Sequence, residues 1–166
     1  MNRRWLCMSV LLGLTTASMA VADDVEDEAN RLKGTWAAVE GVRNGKALSK
    51  EELARVKISF TGPENKPLLC FRVDLSSVLP SETPNANCVS YVLRPDKSPR
   101  EIDMTRQHGT RPSNYPGIYE LKGDTLKVCA NLEPSPDGPP RRTRPTKFAA
   151  PAGSDLTLIT LKKMKQ

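Results

Sequence analysis

The chain carries one histidine, His108, and histidine is the commonest general base in enzymes. His108 stands in "TRQHGTRP", with Asp103 and Ser113 near it in sequence. A serine, a histidine and an orienting acid would make a hydrolase triad. Ser113 lacks the glycine-flanked turn that presents such a nucleophile, so the surface-loop reading of His108 is the stronger one. Cys70, Cys88 and Cys129 have no C-x-x-C spacing, and a single histidine does not complete a usual zinc set. Asp74, Glu101, Asp103 and Glu120 fall on strand-like runs, where two carboxylates could flank a glycosidic bond. Each alternates with apolar neighbours and is expected to point outward. No glycine-rich phosphate loop occurs. The residues predict no catalytic, metal or cofactor site, and a protein that is not an enzyme.

The elements that would position any such residues begin after an apolar leader. Arg3 and Arg4 precede "WLCMSVLLGL", and Ala20-Val21-Ala22 offers small residues for cleavage. Residues 1–22 read as a secretory signal peptide, with an apolar run too short to span a bilayer. "DDVEDE" follows, and residues 23–30 are expected to form an acidic, disordered leader. Residues 31–166 are then a single domain, exported to the periplasm, the cell envelope or the outside.

The formal charge is +6. The basic excess lies late, in Arg141, Arg142, Arg144 and Lys147, then in Lys162, Lys163 and Lys165. Nucleic acid is not expected as a partner, because no aromatic residues interleave with that cluster as a stacking platform requires. Arg141, Arg142, Arg144 and Lys147 are instead a candidate patch for an acidic envelope partner.

Cysteine usage leaves two readings open. In "LLCFRVDL", Leu69, Phe71 and Val73 share one strand face and Cys70 lies on the other. In "CVSYVL", Val89, Tyr91 and Leu93 share a face and leave Cys88 opposite. Cys70 and Cys88 could therefore bridge neighbouring strands in an oxidising compartment. The odd count equally allows three free thiols.

Strand-like runs dominate the rest. "GTWAAVEGV" ends at the turn signal Asn44-Gly45. "SKEELARV" is a short helix, with Ser49 and Glu52 at capping-box spacing. "VKISFT", "LLCFRVDL", "CVSYVL", "REIDMT", "GIYEL", "DTLKV", "TKFAA" and "DLTLITL" read as strands. "RQHGTRPSNYP" and "EPSPDGPPRR" read as loops. Many short strands with turns between them predict a sandwich or barrel.

Set in order, "LKGTW", "NGK.LS.EEL", "REIDMT", "GIYELKGDTLKVC" and "RPTKFAA" resemble a family of uncharacterised lipocalin-like domains abundant in Planctomycetes. The resemblance spans roughly Leu32 to Lys163, with the hairpin and "RPTKF" blocks the most specific. It implies an all-β fold: a lipocalin-like antiparallel β-barrel of eight or nine strands with one short helix after the first strand. It implies no established activity. Lipocalins close one barrel end with the tryptophan of Gly-x-Trp beneath a basic side chain from near the last strand. Trp36 matches the tryptophan, and Lys162, Lys163 and Arg144 are the candidates for its cover. The proline-rich stretches before Cys88 and after Cys129 depart from the family pattern.

The candidate pocket or core residues are Ile58, Phe60, Phe71, Val73, Tyr91, Leu93, Tyr119, Leu126 and Val128, with Trp36 as the barrel-closing plug. An eight-stranded barrel is just wide enough to be filled by side chains or to hold one small ligand, so these residues serve either role. The sequence thus predicts a module that binds a small apolar ligand or an envelope component. The alternative is a filled barrel that associates with acidic surfaces through its basic cluster. The sequence predicts no transmembrane span and leaves the oligomeric state open.

Overall fold

Gly34 sets how the chain enters the sheet. It follows helix α1 (Ala17–Leu32), whose last turn closes with the Lys33 N–H bonded to the Ala29 and Asn30 carbonyls at 3.1 and 3.3 Å. The φ of Gly34 is 113°, a backbone that side-chain-bearing residues avoid. The chain therefore turns sharply out of α1 into β1 (Gly34–Arg43). The computed structural model describes residues 17–63, 66–73, 88–108, 111–132 and 143–165.

β1 ends at Asn44-Gly45, with φ of 47° and 79°, the pair of positive values a two-residue hairpin turn requires. The short β2 (Lys46–Ala47) pairs back on β1. The expected short helix is α2 (Lys50–Arg55), and both halves of its capping box form. The Glu52 N–H donates to Ser49 Oγ at 3.2 Å and the Ser49 N–H to Glu52 Oε2 at 2.7 Å.

The remaining strands are β3 (Val56–Thr61), β4 (Leu68–Val73), β5 (Cys88–Arg94), β6 (Arg100–His108), β7 (Arg111–Lys122), β8 (Thr125–Ala130) and β9 (Thr157–Lys163). Each pairs antiparallel with its neighbour. β1 pairs with β3 on one side and β9 on the other, so eight strands close into a barrel and β2 is an extra ribbon. The all-β barrel expected from the sequence is present, with its short helix in place. The register between β1 and β9 steps between Ala38 and Glu40, a bulge that bends the strand at the seam.

The interior follows from strand alternation. Trp36, Ile58, Phe60, Leu69, Tyr91, Leu93, Tyr119, Leu126 and Val128 are buried in one apolar cluster, joined by Val89, Ile102, Met104, Ile159 and Leu161. The side chains of Phe71 and Val73 lie outside the described residues. Phe60 and Tyr91 meet edge to face, with centroids 5.4 Å apart, the arrangement aromatic rings prefer. On the opposite face of β7 and β8, Ile118 and Cys129 are also buried. There the segment 143–150 straps over the sheet: Cys129 Sγ donates to the Ala149 carbonyl at 3.4 Å, and Arg144 Nη1 to the Gly117 carbonyl at 2.6 Å.

Three expectations are corrected. Residues 23–30 are helical rather than disordered, because Leu32 and Ala29 find apolar partners in the barrel and Glu28 finds two arginines. Most of "RQHGTRPSNYP" is strand, in a long β6–β7 hairpin with His108 opposite Arg111. Its prolines, Pro112 and Pro116, lie where β7 pairs with β6 but has not yet met β8, so a missing N–H costs no ladder bond. "TKFAA" is not a strand; it belongs to the strap, whose contacts are with the outer face of the sheet. Residues 1–16 of the expected signal segment lie outside the described residues. Among the described residues, no helix is long and apolar enough to cross a membrane.

Candidate functional site

One end of the barrel gathers the start of β1, the β3–β4, β5–β6 and β7–β8 turns and the end of β9. Helix α1 lies across this end. Its last residue, Leu32, is fully buried, and Trp36, also fully buried, donates from Nε1 to the Leu32 carbonyl at 2.8 Å. Lys163, register partner of Trp36, places Nζ 5.4 Å from the indole centroid and donates to the Arg31 carbonyl at 2.8 Å. The cation attracts the ring face while its hydrogen bond holds the helix terminus. Lys163 is thus the basic cover of Trp36. Lys162 alternates outward and bonds to Thr125 Oγ1.

Glu28 is the second fastening. Its carboxylate is almost fully buried and accepts from Arg31 Nη1 at 2.9 Å and Arg100 Nη1 at 2.5 Å. Tyr119 lies opposite Arg100 in register. Burial, and then the charge of Glu28, push the Tyr119 hydroxyl well above its ordinary pKa. That hydroxyl faces Glu28 without a hydrogen bond of good geometry.

Between α1, the β3–β4 turn and β5 runs a groove of about 390 Å³. Its apolar walls are Val25 and Ala29 of α1, Pro63 and Pro67 of the turn, and Tyr91 and Leu93 of β5. Tyr91 and Leu93 are therefore both core and wall. The helix also brings Glu26 and Asn30 to the groove, and Lys33, just past its end, donates from Nζ to Asn30 Oδ1 at 2.6 Å. A second cleft of similar volume runs beside Lys97, Arg100, Glu120, Lys122 and Phe148. Its cations are neutralised: Lys97 by Asp96 at 2.8 Å, Lys122 by Glu120 at 2.7 Å, and Arg100 by Glu28.

The other sequence-derived candidates separate. Arg144 is held on the outer face of β6, with Nη2 2.5 Å from Asp103 Oδ1 and Nε 3.4 Å from Glu101 Oε2. Arg94 pairs with the same two carboxylates. Arg144 therefore neither covers Trp36 nor presents an unmatched charge to an acidic partner. Lys147 is exposed, and Arg141 and Arg142 lie outside the described residues. Cys70 and Cys88 are register partners and form a disulfide, and Cys129 is a buried free thiol. Burial pushes the Cys129 thiol pKa up.

His108 ends β6, and its side chain lies outside the described residues. Asp103 lies five positions along the same strand, ~16 Å away, and it pairs with two arginines. Partial burial alone would raise the Asp103 pKa, but hydrogen bonds from Arg94 and Arg144 hold it below the usual carboxylate range. Glu101 and Asp103 do come together, as an ion-pair cluster. Asp74 lies outside the described residues. Among the described residues, no three metal-ligating side chains cluster.

Sequence reasoning missed α1 as part of the site. Its trace is the spacing of Val25, Ala29 and Leu32, a helical stripe that the surrounding acids obscure. No family model matches the chain, and no curated protein or solved structure matches it.

Proposed function

We propose that this protein is an exported, non-enzymatic binding module that holds a small apolar molecule in the groove between α1 and β5. The groove itself carries the reading. It is concave, walled largely by apolar side chains, and of a size that accommodates a small ligand. The barrel axis is a poorer seat, because side chains of all eight strands fill it as one cluster. The Cys70–Cys88 bond is in keeping with an oxidising compartment.

Titration with a neutral apolar dye such as Nile red tests the proposal. Emission should rise saturably with a single site. Ala29→Trp, which fills the groove, should weaken binding at least ~10-fold while the far-ultraviolet spectrum and a cooperative melt are retained. Non-saturable emission, or equal affinity in Ala29→Trp, would refute it.

A further inference from the structure

We infer that the groove selects an amphiphile with one anionic head, a carboxylate on an apolar body, and that Lys33 reads that head. The inference rests on the groove being the ligand seat. The ionisable side chains that α1 and the residue after it bring to the groove are Glu26 and Lys33. The Lys33 ammonium donates to a neutral amide oxygen, Asn30 Oδ1, and meets no carboxylate among the described residues. Lys97 and Lys122 of the second cleft differ in this respect, since each has its own acid. Lys33 therefore brings to a largely apolar wall a positive charge that no acid among the described residues matches, and there a carboxylate would gain a charge-assisted hydrogen bond.

The fold also sets the ligand's direction. Gly34 pairs with Phe60, so Lys33 stands beside Thr61 at the sheet end of the groove. Glu26 lies seven residues earlier on the helix, ~10 Å away along its axis. An anion placed at the Glu26 end would be repelled, and an anion at the Lys33 end attracted. The head is thus fixed at Lys33 and the apolar body runs past Ala29 toward Val25, against Pro67, Tyr91 and Leu93. An extended chain or flat ring system with a terminal carboxylate satisfies both constraints.

Calorimetric titration of the full chain with decanoate, decanol and decyltrimethylammonium, each below its micelle-forming concentration, tests this. Decanoate should bind ~10-fold tighter than decanol, and decyltrimethylammonium weakest. Lys33→Met should abolish the preference for decanoate, Lys33→Arg should keep it, and added salt should shrink it. Equal affinity for decanoate and decanol, or a preference untouched by Lys33→Met, overturns the inference. The groove reading survives that result if Nile red still binds and Ala29→Trp still blocks it. Failure of all three compounds and of Nile red removes both.

Discussion

Lys163 shows how one long side chain can serve a ring and a helix together. Its ammonium lies over Trp36 and holds the Arg31 carbonyl. Lys163→Met should keep the aliphatic packing and lose both polar contacts, lowering stability by about 1 kcal/mol in a denaturant titration. Gly-x-Trp made Trp36 legible in the sequence. The identity of its cover was not legible, because Lys162, Lys163 and Arg144 are equivalent until the β1–β9 register puts Lys163 opposite the indole. Asp103 carries a pH prediction. Its folded pKa lies below the unfolded value, so its ion pairs stabilise the fold above the unfolded pKa. That contribution disappears as pH falls through the folded pKa. Asp103→Asn should therefore cost about 1 kcal/mol at pH 7 and have little effect once the wild-type carboxyl is protonated. Urea midpoints of both proteins across the acidic range check this, and a penalty that grew toward acid would contradict it.

At the scale of elements, α1 is a plug whose anchorage is uneven. Leu32 and Glu28 are buried, whereas Asp24, Glu26 and Asp27 are exposed. Leu32→Ala should destabilise the fold by about 2–5 kcal/mol. Hydrogen exchange should show α1 amides opening well before those of the barrel. Equal protection throughout would mean that the helix is no separate unit. The strands with strict alternation, such as β5 and β9, were legible because their buried positions recur every second residue. The helix was not, since composition outweighed a three-residue apolar stripe. The β6–β7 hairpin was hidden by prolines that its one-sided pairing tolerates, and "TKFAA" has strand composition but lies in the strap over the outer face of the sheet.

At the scale of the whole molecule, the pairing of β1 with β9 closes the ring of strands, and β2 and the extended β6–β7 hairpin project from it. The disulfide ties β4 to β5 across a separation of 18 residues. Replacing both cysteines by alanine should lower stability by about 3 kcal/mol, read as a reduced denaturant midpoint with an unchanged far-ultraviolet spectrum. The seam between β1 and β9 also has a consequence in time. The first strand is completed by the last, so the structure has a high contact order, and such folds form slowly. Until Thr157–Lys163 has been synthesised, β1 lacks one neighbour, Trp36 has no lysine above it, and the circuit stays open. The barrel cannot close until its last strand is available to pair with its first.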